Sequence, residues 1–305
     1  MRPLSSCEST PRSGPRDYPD HSQSSEQSPN KFLPAITTFS RWRNATCDAL
    51  DVIHWEANAR VARQKGAEHP TILHLHLSRI IILTPYSHIR ALAWSIASRA
   101  DLALSEVPGT ASDANAAQQA VIEWAQRDEH KARLAVLHAG SLFWHARRYS
   151  ITAFYEPAAV FLATLVLWAY SSYTALASRI ESHVQDNSPI RATDHSLNDQ
   201  SQLPLQRSDS PTSSMIQSAS DSTFILLDRP NDDEMVQLFV RAGHPSRMRA
   251  YMAGVGNLCS ANGPIKICSE GKRVIEGTGS VWGCTAEYIR VLTSLEKAMV
   301  ERYNC

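Results

Sequence analysis

Few groupings of side chains in this sequence have the types and spacing for chemistry. The run Asn231-Asp232-Asp233-Glu234 clusters carboxylates, which is the arrangement that holds magnesium against a diphosphate. A helical metal-dependent enzyme using Asp232 and Asp233 is therefore one alternative reading. No second acidic run faces it in the sequence, and acids in the first turn of a helix answer the backbone dipole equally well. His74 and His76 would share one face of a strand as metal ligands, but on a helix they point about 200° apart. His138 and His145 are seven residues apart and share a helix face, with no Cys or carboxylate on that face to complete a ligand set. Cys259, Cys268 and Cys284 stand nine and sixteen residues apart, with no close Cys pair and no His pair at finger spacing, so no zinc site is expected among them. Gly254-Val255-Gly256 and Gly277-Thr278-Gly279 are too short for a dinucleotide fingerprint and read as turns. Neither G-x-S-x-G nor H-E-x-x-H occurs. The residues thus nominate no catalytic, metal, cofactor-binding or DNA-binding side chain.

The elements around these residues read as helices. Asp48 is placed to cap a helix carrying Leu50, Ile53, Ala57 and Val61, which Gly66 and Pro70 end. A helix over 72–83 is apolar nearly all round and should be central, and Pro85 stops it. Ser87 is expected to cap the next, with Ile89, Leu92, Ala93 and Ile96 on one face, before the Pro108-Gly109 turn. The Ala- and Gln-rich stretch 114–124 has high helix propensity and buries Val121, Trp124 and Ala125. A helix over 129–149 puts Leu134, Leu137, Ser141, Trp144 and Arg148 on one side, with Arg147 and Arg148 solvated at its negative end. Asn231 and Glu234 have capping-box-like spacing for a helix that Gly243-His244-Pro245 stops. Ile289, Leu292, Leu295 and Met299 mark a last helix. Sustained period-two alternation is missing, so the fold class is all-α.

The tract from Pro157 to Ser178 carries no charge, and at about 1.5 Å per residue it would just span a bilayer. Ser171, Ser172, Thr174 and Ser178 dilute its second half, leaving a strongly apolar part of core-helix length. A buried core helix is the expectation; a single-pass membrane protein spanning 157–178 is the other alternative, and no membrane partner is expected. Residues 1–30 and 181–222 are rich in Ser, Gln, Asp and Pro and poor in apolar side chains, which predicts a disordered tail and a disordered linker or insertion. They bracket a first helical part over 31–180 and precede a second over 223–305. Lys+Arg and Asp+Glu both number 30, so no overall field draws the chain to nucleic acid or an anionic membrane. Arg147-Arg148 and Arg247-Met248-Arg249 are too small to track phosphates. Six scattered cysteines, behind a start without an apolar leader stretch, fit free thiols in a reducing compartment.

Several stretches read together are similar to one family. They are 76–85 (HLSRIIILTP), 132–140 (ARLAVLHAG) running into 143–150 (FWHARRYS), and 153–157 (AFYEP) leading into 160–170 (VFLATLVLWAY). Asp228-Arg229-Pro230, 254–259 (GVGNLC) and Val281-Trp282-Gly283 complete the set. Over about residues 45–303 the chain resembles the fungal-specific transcription factor domain, the helical regulatory region of fungal zinc-finger transcription factors, in the branch with a two-Cys-two-His finger. The resemblance implies a nuclear regulator of RNA polymerase II transcription whose partners are transcription-machinery proteins or family members. It implies DNA contact and zinc only through an upstream finger that this sequence does not contain, no cofactor within the chain, and no catalytic residue to carry over. No motif names a small-molecule effector. A core around Trp144, Phe154, Phe161 and Trp168 is expected.

Overall fold

The computed structural model describes residues 33–63, 70–101, 111–186, 223–244, 247–279 and 283–304. The expected tail over 1–30 lies outside them, as do residues 187–222 of the expected linker. Contacts divide the chain into a unit ending at Asn44 and a larger one from Ala45 to Cys305. The described part of the first belongs to helix α1 (Leu33–Arg63), where the Phe39 and Trp42 rings pack tilted with centres 5.7 Å apart and the Arg43 guanidinium lies over Phe39. α1 starts well before Asp48, so Asp48 is an interior residue and no cap.

In the larger unit, α2 (Thr71–Leu83), α3 (Tyr86–Ala100), α4 (Ala111–Gln126), α5 (Glu129–Tyr149) and α6 (Glu156–Asp186) follow. Pro85 breaks α2 from α3 as expected, because its ring cannot continue the helix; the two helices bend by 84° there. α3 opens at Tyr86, which places Ser87 inside it rather than at its cap, and Ile89, Leu92 and Ala93 face the core. Val121, Trp124 and Ala125 are buried on α4, and the Trp124 indole donates to the Leu83 carbonyl at 2.9 Å, tying α4 to the end of α2. α6 lies in the core: 83 % of Glu156–Thr174, a stretch long and apolar enough to cross a bilayer, is buried inside the protein. α5 and α8 cover it, and its backbone helix continues to Asp186, beyond the expected boundary at 180.

The remaining elements are β1 (Thr223–Leu226), α7 (Asp233–Ala242), β2 (Met248–Met252), β3 (Gly256–Asn257), α8 (Gly263–Gly279) and α9 (Cys284–Asn304). The fold is all-α in class, with one small three-stranded sheet of order β1-β2-β3 added to it. β1 pairs with β2 in parallel and β2 with β3 antiparallel. The strands are too short for alternation to stand out in the sequence. Gly254 and Gly256, at φ +80 and +81, make the expected turn between β2 and β3. Gly277 and Gly279, also expected in a turn, instead close α8, a helix whose Ile267, Cys268, Val274, Ile275 and Thr278 recur on its buried face. Leu292, Leu295 and Met299 of α9 are buried, and the Trp168 indole meets the Met299 sulfur at 3.2 Å.

Phe161 and Trp168 stand in the core as expected, but Trp144 is only half-buried and Phe154 is 66 % exposed. Phe154 sits in the turn between α5 and α6 and packs edge-on against Tyr155 instead. Of the stripe expected on α5, Leu137 is buried as expected, whereas Leu134, Ser141 and Trp144 are half-buried and Arg148 is exposed. Besides Leu137 the helix buries Val136, Leu142 and Phe143, and with them Ala132, Ala135, Ala139 and Ala146, whose small side chains admit the close approach of neighbouring backbone.

Candidate functional site

A buried network of charges centres on Arg147, at the end of α5. Gly140 sits two turns earlier on the same face, and a Cβ there would lie 2.4 Å from the Leu227 carbonyl oxygen, so only glycine lets the chain after β1 cross α5 at that point. That crossing delivers the next residue, Asp228, to Arg147: the guanidinium donates to Asp228 Oδ2 at 2.5 Å, to Glu270 Oε1 of α8 at 2.7 Å and to the Ala253 carbonyl at 2.9 Å. Asp228 Oδ2 also accepts from the Ala253 amide at 3.0 Å, fixing the β2–β3 turn. The Arg147 guanidinium lies 5.4 Å from the Phe143 ring centre. Burial pushes the Glu270 carboxyl up, but hydrogen bonds from Arg273 and the charge of Arg147 outweigh it and hold the group below its ordinary value. Arg147 was expected to be solvated; its side chain is 18 % exposed, and only its neighbour Arg148 faces solvent, over Trp144. The arrangement locks α5, the segment after β1, the β2–β3 turn and α8 to one another.

A second polar cluster gathers imidazoles from different helices. His76 of α2 and His138 of α5 bring Nδ1 to Nδ1 at 3.1 Å, and His54 of α1 meets His76 edge-on with ring centres 5.1 Å apart. Arg79, 3 % exposed, lies against His54 Nδ1 at 3.0 Å and pairs with Asp51. A 3.1 Å nitrogen–nitrogen contact is a hydrogen bond only if one nitrogen carries a proton and the other a lone pair, so a neutral pair fits it and a doubly protonated one does not. Burial, then the fields of His54, Arg79 and His145, push His76 down to about 3. Burial, then His76, Arg79 and His54, hold His138 well below its ordinary value, and His54 is lowered by burial and Arg79 against the opposing charge of Asp51.

Of the sequence-nominated groups, His74 and His76 part as expected for a helix, with His74 exposed and packed at 4.3 Å on Tyr155. His138 and His145 remain on α5, and the partners that give His138 its setting come from α1 and α2. Asp232, Asp233 and Glu234 are exposed at the start of α7. Asp232, not Asn231, holds the cap position; the Asn231 amide is turned back and donates to the Leu226 and Arg229 carbonyls at 2.6 and 2.9 Å. Among the described residues no three His, Cys, Asp or Glu side chains are grouped to hold a metal ion, and Cys47, Cys259, Cys268 and Cys284 are free thiols.

An open groove of about 570 Å³ lies beside β1, lined by Thr223, Phe224, Leu226, Pro230, Asn231, Asp232 and Met235. Phe224, Leu226, Pro230 and Met235 give it an apolar side, and Thr223, Asn231 and Asp232 a polar one. Comparison with known proteins yields no match: no protein family, no curated protein and no solved structure corresponds to this chain.

Proposed function

We propose that this chain is a nuclear regulatory domain that modulates RNA polymerase II transcription by binding transcription-machinery proteins or relatives of its own kind. It leaves DNA reading and zinc to a separate finger module, and it performs no catalysis of its own. The reading grows from the resemblance to the fungal-specific transcription factor domain. The observation that carries it is where the resembling segments meet: Arg147 of the 143–150 stretch and Asp228 of the Asp-Arg-Pro triplet converge on one buried network, together with Ala253, the residue just before the 254–259 stretch. Residues that a family shares to hold its fold belong in such a place, whereas shared residues that perform chemistry belong in an accessible cleft. Function then falls to the exposed surfaces of a rigid helical body, and an uncharged overall balance suits protein partners better than nucleic acid.

Fusing the full chain to an unrelated DNA-binding domain in a fungal host, over a reporter, tests this. Altered reporter output, in either direction, is the expected result. Unchanged output from a fusion that is soluble and nuclear would count against independent regulatory activity.

A further inference from the structure

We propose that the free edge of β1, together with the groove beside it, is a docking site for an extended segment of a partner protein that alternates apolar and basic side chains. The register carries the first part of the case. Leu227 donates its amide to Tyr251 of β2 at 2.8 Å, and in a parallel pair alternate residues point their backbone groups the same way, so Ile225 and Leu227 face β2. Phe224 and Leu226 therefore turn their amides and carbonyls away from the sheet. The Asn231 amide takes the Leu226 carbonyl, which leaves the Phe224 amide and carbonyl and the Leu226 amide open among the described residues. Edge strands are ordinarily blunted by Lys, Pro or a bulge; Thr-Phe-Ile-Leu has none of these, and Phe224 is 56 % exposed.

The groove fixes what would sit there. Phe224 and Leu226 share the outer face of β1 and line the groove with Pro230 and Met235, so a strand added at this edge has an apolar trough for alternate side chains. Charge fixes the rest. Asp232 at the rim, with Asp233 and Glu234 beside it in the first turn of α7, is exposed and in no ion pair among the described residues. Exposed Arg229 and Arg249 offset part of this charge; Arg249 pairs with Phe224 across the β1–β2 ladder and leaves the sheet on the same face, one strand in from the free edge. A basic segment is drawn to this rim. A second copy pairing edge to edge would bring two such acidic runs together and is disfavoured.

As a partner site this surface rests on the protein-binding reading above, but it is tested by direct binding, so failure here leaves the reporter result standing. The probe is a capped, dye-labelled hexapeptide of alternating Lys and Val, titrated with the full chain and followed by fluorescence anisotropy. Saturable binding is expected, about tenfold weaker when alternate peptide amides are methylated and when Glu replaces Lys. Asp232→Lys and Phe224→Pro should each weaken it; the first is exposed, and the second removes both the amide that points away from β2 and a ring that lines the groove, so Phe224→Leu, which keeps the amide, should weaken it less. Absence of saturable binding, binding indifferent to amide methylation and to charge, or a chain that self-associates through this edge and loses that association in Phe224→Pro would each overturn the proposal.

Discussion

Lowering the pH should destabilise this protein through its buried imidazoles, and the size of the effect follows from His76. An exposed imidazole in the unfolded chain titrates near 6.5, whereas in the fold His76 is pushed down to about 3 by burial and by His54, Arg79 and His145. Between those values the unfolded state holds a proton that the native state does not, so stability is full above 6.5 and falls as the pH drops toward the folded value. At about 1.4 kcal/mol per unit, His76 alone costs roughly 2 kcal/mol at about pH 5 and roughly 3 kcal/mol at about pH 4. His138, also lowered by burial, acts in the same direction. The assay is urea denaturation of the wild type and of His76→Gln at about pH 7.5 and about pH 5. Gln retains a hydrogen-bonding group for His138 but cannot titrate, so the variant should lose about 2 kcal/mol less than the wild type over that interval. Comparing each protein with itself removes the packing cost of the substitution. Equal losses in the two proteins, or a wild type that gains stability on acidification, would refute the reasoning.

The charge network and the glycines around it make further predictions. Replacing Arg147 with Met should destabilise the fold by about 3–5 kcal/mol, because it leaves the Asp228 carboxylate, 3 % exposed, without its cation, while Glu270 keeps Arg273; denaturant titration checks it. Gly254→Ala should cost roughly 1–3 kcal/mol, since its φ is +80 and the new Cβ would sit 2.4 Å from Glu270 Oε2. Gly256→Ala has the same backbone strain but open space around it, so it should lower the thermal midpoint less, and equal shifts would discount the clash. Gly140→Ala should destabilise by roughly 1–3 kcal/mol by forcing Leu227 off α5, again read by denaturation.

What was legible in the sequence is local. The bounds of α5, Glu129–Tyr149, follow from charged ends around an apolar interior, and the break at Pro85 follows from one ring. The face α5 buries followed only at Leu137, because a pattern of large residues points also to Leu134 and Trp144 while the close crossing at Gly140 turns neighbouring alanines inward. α8 was hidden by its glycines, which lower helix propensity; contact with α6, where a Cβ on Gly271 would lie 2.5 Å from the Thr164 side chain, overrides that preference. The imidazole cluster was illegible for a different reason. His54, His76 and His138 are far apart in the chain, and only the packing of three helices brings them together. Arg147 and Arg148 look alike in sequence, and the 100° between successive helix positions sends one into the charge network and the other to solvent.

The regulatory reading is tested most directly by the tethered reporter, with the wild-type fusion and its Arg147→Met counterpart run side by side. The prediction is that the wild-type fusion moves reporter output away from that of the DNA-binding domain alone, and that the Arg147→Met fusion, with its fold loosened, returns it toward baseline. A wild-type fusion that is nuclear, soluble and folded, yet leaves the output at that baseline, would contradict it.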